Sequence, residues 1–363
     1  MTLTNPSITD LAAIVDSLPA DEKKLFQRIY AVTTTIGELR TPPSIQPWVK
    51  RQFGSVAAVT RQKIVKVTNV VTNEGTLFNR LRDFRPIEAI EDKSLDTQLR
   101  EAIQKDTFRY PEEDTPEDLF GRIAGKHCIT ASNIAKYDGL HGVVIFNEFN
   151  PLQFSREQVI DYIDVGWEWA KRAQATHPQA KYFLFVWNCL FRAGASIVHG
   201  HAQMMLTEGR HYAKIEGLRQ AALSYQQNYG SNYFTDMFRV HHSVGCAMDK
   251  GGVKILASLT PFRNNEVILI ADELNLSLKE RIYEMLACFR DELGVVSFNL
   301  GLITPPLAQT EESWEGFPVM VGVVDRGNPN SRASDVGGVE IYAASVVSSD
   351  PFELARQLKQ YFD

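Results

Sequence analysis

The stretch Gly194-Ala-Ser-Ile-Val-His-Gly-His-Ala-Gln-Met-Met-Leu206 decides how the rest of the chain is read. As a strand from Ser196 to Leu206, its period of two puts His199, His201 and Gln203 on one face, and Val198, Gly200 and Ala202 on the other. Two imidazoles and an amide then stand in a row, backed by small residues that predict close packing behind the strand. A neutral imidazole with an ordinary pKa near ~6.5 is a competent nucleophile toward phosphorus, provided an acceptor holds its second nitrogen. His201, in the middle of the row, is the candidate nucleophile, with Gln203 and Ser196 as candidate donors to nonbridging phosphate oxygens. The bare triplet also fits two ordinary hydrogen-bonded strand histidines, or a metal shared by imidazoles two residues apart, with no further ligand cluster in view. His241-His242 and His127-Cys128 are adjacent pairs whose side chains diverge on a strand, which points to surface or core roles.

Working outward, Tyr182 to Trp187 is a continuous apolar run suited to a buried strand. Before it, Ser155-Arg-Glu-Gln158 is a capping box that opens a helix carrying Val159, Ile163, Gly166 and Ala170 on one face. Cys128 to Asn133 and Gly142 to Phe146 read as two strands joined by a turn around Tyr137-Asp-Gly139. The same order returns in the second half. Gly252 to Leu256 and Glu266 to Ile270 are strands, Ser277-Leu-Lys-Glu280 is a helix cap, and strands follow at Val295 to Ile303 and Pro318 to Val324. The repetition predicts an α+β fold built from two copies of one unit, of which only the first carries histidines near its last strand. Asp350-Pro-Phe-Glu353 starts a closing helix.

Thr9 to about Gly37 has helical spacing at Leu11, Ile14, Leu18, Leu25, Ile29 and Val32, with Pro19 dividing two helices. The expected organisation is an N-terminal helical extension over 1–60, a first unit with the active site over 61–240, and a second unit over 241–363 with no histidine after His242. Residues 91 to 120 are charged and weakly periodic, which predicts surface helix and loop. Arg80, Arg82 and Arg85, just before Pro86, form either an anion clamp or a solvated basic turn.

With 363 residues, 44% of them hydrophobic, the chain can bury a substantial core. A net charge of -6 gives no general basic field for nucleic acid or an anionic membrane. Cys128, Cys189, Cys246 and Cys288 are scattered without a CxxC, and neither a signal peptide nor an apolar run of about 18 residues is visible, so the expectation is a reduced cytoplasmic protein.

Asn188, Gly194-Ala-Ser196 and His199-Gly-His201-Ala-Gln203 together resemble the active-site segment of galactose-1-phosphate uridylyltransferases, the transferase branch of the histidine triad superfamily. In that family an asparagine stands thirteen residues before the nucleophilic histidine and a serine five before it, as Asn188 and Ser196 stand before His201. Arg82-Asp-Phe-Arg85-Pro86 matches the family's Arg-x-x-Arg-Pro, and Glu340, eleven residues before Pro351, matches its late glutamate. The resemblance implies duplicated histidine-triad-like units and a nucleotidyl-histidine intermediate on His201, with Gln203 bonded to the phosphoryl group. It assigns phosphate contacts to Asn188, Ser196, Arg82 and Arg85, a sugar phosphate contact to Glu340 and, more loosely, a nucleoside contact to Asn133.

Substrates would be a nucleoside diphosphate sugar or dinucleoside polyphosphate, with a sugar phosphate or phosphate as acceptor, and a homodimer as the assembly. The same residues leave open a silent nucleotide-binding protein and a nucleotide hydrolase. Many members of the family hold a structural zinc through a CxxC pair and two histidines. Here the pair is missing, Asn150 takes the place of one histidine and only His199 remains, so zinc and other cofactors are expected to be absent.

Overall fold

The computed structural model describes residues 5–86, 94–331 and 337–362. Its strands are β1 (Tyr30–Glu38), β2 (Arg61–Asn69), β3 (Gly75–Phe78), β4 (Cys128–Ser132), β5 (Leu140–Phe146), β6 (Ala180–Asn188) and β7 (His201–Glu208). There follow β8 (Ala247–Lys250), β9 (Val253–Ala257), β10 (Val267–Ala271), β11 (Phe298–Ile303), β12 (Val319–Asp325) and β13 (Ser345–Val347). Among the described residues they form two sheets, one ordered β1-β2-β3-β13 and a nine-stranded one ordered β4-β5-β7-β6-β11-β12-β10-β9-β8.

The large sheet contains the duplication. The series β4, β5, helix Arg156–Thr176, β6, β7 is matched by β9, β10, helix Leu276–Asp291, β11, β12. Both blocks lay their strands down in the same spatial order, so β7 and β12 are structural equivalents. The blocks meet where β6 pairs antiparallel with β11, Asn188 opposite Asn299.

Alternation then sorts the side chains. Val144, Phe146, Phe183, Phe185, Trp187, Ala202 and Met204 of the first block, with Leu300, Leu302, Val321 and Val323 of the second, share one core with both helices. The first helix starts at the expected capping box, Ser155 accepting from the Gln158 amide while the Gln158 side chain accepts from the Ser155 amide at 2.7 Å. The second starts a little earlier than Ser277. Asn275 is the cap, its Oδ1 accepting from the Leu278 amide at 3.0 Å, because asparagine competes on equal terms with serine for that role.

The opposite face of the second block is covered. Leu256, Ile270 and the partly buried Ile303 and Met320 pack under Tyr233, Phe234, Met237 and Val240 of the helix Tyr233–Ser243, together with Ile29 and Tyr30 from the N-terminal segment. Helices Leu11–Ser17 and Ala20–Ile29 form on either side of Pro19 as the spacing predicts. The helical reading fails beyond Ile29. Val32-Thr-Thr-Thr-Ile36 extends into β1, Val32 opposite Val67 of β2, since a β-branched run fits a pleated ladder better than a helix. No helix of the described residues is long and apolar enough to cross a membrane.

The histidine strand is shorter than its sequence pattern. β7 begins at His201, and Ser196 to Gly200 is irregular because Gly200 is tied differently. Its N–H donates to the Phe149 carbonyl and its carbonyl accepts from the Phe146 amide, both at 2.9 Å. The expected tight backing is present. A Cβ at Gly200 would lie 2.7 Å from Phe146 Cδ2 and 2.9 Å from the Glu148 carbonyl oxygen, so only glycine fits between the two histidines.

Candidate active site

Register assembles the site from four strands on the face that the helices leave free. Ile145 of β5 stands opposite His201, and Val143 opposite Gln203. Val186 of β6 stands opposite Gln203 from the other side, which brings Asn188, two residues on, level with His201. Asn299 of β11 continues the row into the second block.

His201 is buried, and its Nδ1 lies 2.8 Å from the His199 carbonyl oxygen. A carbonyl can only accept, so Nδ1 carries the proton and Nε2 keeps its lone pair. Burial lowers the His201 pKa below the ordinary histidine value, and positive charge at His199 works in the same direction. Nε2 has no hydrogen-bond partner among the described residues, yet it is not sealed from solvent. A neutral imidazole with a free, accessible lone pair is the form required for attack on phosphorus.

His199 is held more firmly. Its Nδ1 is 2.9 and 2.8 Å from the two carboxylate oxygens of Asp106, and its Nε2 is 2.7 Å from the Phe146 carbonyl oxygen. Acceptors at both nitrogens are fully satisfied by the doubly protonated ring, which makes this a buried ion pair. Fixing the His199 ring also fixes the carbonyl that holds His201. Phe108 then lies edge-on to both imidazoles, its centroid 5.4 Å from that of His201. Leu95–Ala102 is the surface helix expected in this charged stretch, whereas Asp106 and Phe108 depart from a surface role by packing on the histidines. These two come from a segment without periodicity, so the only sequence signal was an acidic residue followed two places later by an aromatic.

Two amides flank the nucleophile, and both are oriented by groups that can play only one role. Asn299 Nδ2 donates to the Ala193 carbonyl at 2.7 Å and its Oδ1 accepts from Arg326, so its amide has one possible orientation. That same Nδ2 is 2.7 Å from Asn188 Oδ1, leaving the NH2 group of Asn188 to donate elsewhere. On the other side, Gln203 Oε1 is 2.9 Å from Nε2 of the fully buried His141. Neither the Asn188 nor the Gln203 NH2 group has a partner among the described residues, and neither is sealed from solvent. The result is a set of donors around an uncharged nucleophile, suited to an anion. His141, Asn299 and Arg326 were not singled out from sequence, since a lone histidine or asparagine on an apolar strand carries no spacing signal.

The loop between β6 and β7 is strained where it leaves β6. Leu190, buried in the core, has φ 69° and ψ 173°, a region natural to glycine. Gly194, at φ 94°, completes the turn that presents Ser196, which is exposed and makes no hydrogen bond among the described residues. Asn133 follows β4, with its amide nitrogen 3.3 Å from His141 Nε2 and its Oδ1 accepting from the Ala135 amide. The remaining predicted residues lie on the small sheet. Arg82 and Arg85 are exposed around the short turn after β3, and Glu340 precedes β13, accepting from the Gly337 amide at 2.7 Å. Among the described residues no hydrogen bond or ion pair joins these three to the histidine row.

The residues around His199 do not fit a zinc. Both its nitrogens face oxygen acceptors, Asn150 Oδ1 accepts from the Leu152 amide at 3.1 Å, and all four cysteines are buried and unpaired. Burial pushes the Cys128 thiol well above its usual range. Among the described residues no group of three or more His, Cys, Asp or Glu side chains could hold a metal ion.

Comparison with known proteins places the fold. No family model and no curated protein sequence matches the chain. Solved structures do. An ADP-glucose phosphorylase from Arabidopsis thaliana, with bound ADP-glucose, superposes with a TM-score of 0.61 at 18% identity, over 80% of this chain and 96% of that one. A GalT-like protein from the same plant gives 0.57 at 18% identity, over 70% and 93%. A uridylyltransferase gives 0.55 at 15% identity, over 81% and 97%. The chain has the uridylyltransferase fold. Within that fold the histidine row stands on the last strand of the first repeat, one strand from the join between the two.

Proposed function

We propose that this chain is a nucleotidyltransferase that works through a nucleotidyl-histidine intermediate on His201. The observation that carries the reading is the 2.8 Å bond from His201 Nδ1 to the His199 carbonyl, which leaves Nε2 as a neutral nucleophile. Nε2 attacks the α-phosphorus of a nucleoside diphosphate sugar or dinucleoside polyphosphate. The bond from that phosphorus to its bridging oxygen breaks, and the oxygen keeps the electron pair and departs on the sugar phosphate or, from a dinucleoside polyphosphate, on the remaining nucleoside polyphosphate. An oxygen of a second phosphate or sugar phosphate then attacks the same phosphorus, and the P–N electron pair returns to Nε2.

The NH2 groups of Gln203 and Asn188, with the Ser196 hydroxyl, are placed to donate to nonbridging oxygens as charge grows there. Arg82 and Arg85 are assigned to phosphate, Glu340 to the sugar phosphate and Asn133 to the nucleoside. No metal or other cofactor takes part in the scheme. A homodimer belongs to the proposal as well. Val339, Ile341 and Tyr342 are exposed on either side of Glu340, an apolar segment that a second copy would cover.

Incubation with α-labelled UDP-glucose or ADP-glucose, followed by intact mass, tests the mechanism and reads out which base is carried. A mass increase of one nucleotidyl group, lost in His201→Ala, is the expected result. No adduct with either nucleotide, or an undiminished adduct in the variant, overturns it. Sedimentation that finds only monomer removes the dimer and leaves the chemistry standing.

A further inference from the structure

A second buried histidine, outside the nucleophile pair, touches the site. His141 on β5 lies one diagonal step across the ladder from Gln203, since Val143 is opposite Gln203 and His141 opposite Met205. Its side chain is fully buried on the site face, which is an expensive place for an imidazole unless both nitrogens are used. Both are. Nδ1 receives the Tyr137 backbone N–H at 3.0 Å, and Nε2 is 2.9 Å from Gln203 Oε1. A backbone N–H can only donate, so Nδ1 must be the acceptor and Nε2 must carry the proton. That proton can go only to an acceptor, so the atom of Gln203 facing His141 is the carbonyl oxygen.

The consequence is directional. Without His141, the Gln203 amide could turn through half a circle and present a lone pair to an incoming phosphate, which would repel it. With His141 in the Nε2–H form, the NH2 group is held on the side away from His141. Burial lowers the His141 pKa, so the ring stays in this single neutral form. The stack of Tyr137 on His141, at 4.7 Å between centroids, holds the ring plane and ties the Asn133–Asp138 loop to the same contact.

We propose that His141 is a positioning residue, which acts through Gln203 by fixing its amide as a donor to the phosphoryl group that His201 attacks. The inference rests on the transferase reading. Three variants test it in a single-turnover measurement of adduct formation, with melting temperature as the check on folding. His141→Leu should lower the adduct rate about 10- to 100-fold, below the loss expected for removing such a donor outright, with nucleotide affinity changed less than about threefold. His141→Gln, which can still donate to Gln203, should recover most of the rate. In a Gln203→Ala background, His141→Leu should cause no further loss, because its effect runs through that amide.

Full additivity of the two substitutions, or an unchanged rate in His141→Leu, overturns the proposal. If the wild-type chain forms no adduct, the transferase reading falls, and the positioning claim is decided separately by nitrogen NMR of labelled histidine in the ligand-free protein. The Nε2–H tautomer of His141 is expected there at neutral pH, and the Nδ1–H tautomer would overturn the claim.

Discussion

The two repeats use one scaffold for opposite ends. On the face away from the shared helices, β7 carries His201 and Gln203, whereas its equivalent β12 carries Met320 and Gly322. In the first repeat that face meets Asp106, Phe108, His141 and solvent. In the second it lies beneath an apolar cover of helix and N-terminal segment. The strand order and register are common to both, so what separates a reactive surface from a packing surface is the cover. Polar side chains persist on a strand where something supplies their hydrogen bonds, and apolar ones where something displaces water. The division is not complete, because Asn299 and Arg326 of the second repeat orient Asn188 of the first.

The largest expected effect breaks the chemistry of the first repeat alone. His201→Ala should reduce nucleotidyl transfer by about 10^4-fold or more while leaving the melting temperature nearly unchanged, as read by adduct mass and calorimetry. Next comes the support behind it. Asp106→Ala leaves the buried Nδ1 of His199 without its acceptor, at a cost of about 1 to 3 kcal/mol measured as a shift in denaturant midpoint. An unchanged midpoint would mean that the ion pair is not formed.

The cover of the second repeat is probed by pH. His241 is buried there, its Nδ1–H donating to the Met237 carbonyl at 2.8 Å and its Nε2 accepting from the Leu259 amide at 3.3 Å. Burial lowers its pKa to about 4, below the ~6.5 of an unfolded chain. The unfolded state therefore takes up the proton first. Stability is fully present above about pH 6.5, declines as the pH falls, and by about pH 4 has lost roughly 3 kcal/mol from this group. His211, buried and also near 4, contributes with the same sign. Urea titrations at pH 7 and pH 4.5 should show the decline, and His241→Gln should flatten part of it.

A smaller effect separates packing from chemistry at the histidine strand. Gly200→Ala forces a Cβ against Phe146 and the Glu148 carbonyl, and should cost about 1 to 3 kcal/mol in thermal unfolding. The smallest compares the repeats directly. Ser155→Ala and Asn275→Ala remove equivalent helix caps and should each cost about 1 kcal/mol, so a large inequality would show that the two helices do not share one cooperative core.

Much of this was legible in the sequence because it rests on local periodicity. The duplicated order, the Ser155 cap and the polar row at His201 and Gln203 all follow from spacings of two to four residues. What could not be read depends on contacts between distant segments. Asp106 meets His199 across 93 positions and His141 meets Gln203 across 62, and neither acid nor histidine sits in a pattern that marks it. Val32 misled for the opposite reason, since its spacing suits a helix while its β-branched neighbours and the partner strand β2 decide for a ladder.

The pairing of β6 with β11 has one more consequence. Those two strands are the inner margins of the repeats, joined by the same antiparallel hydrogen bonds that join strands within each repeat. Either repeat alone would have an unprotected edge there, ready to zip onto any chain offering the same register. Two identical copies of one repeat could satisfy each other by a twofold rotation, giving a symmetric pair with two equal sites. Fusing the copies into one chain removes the need for that symmetry, and leaves one half free to become ballast and brace while the other keeps its reactive row.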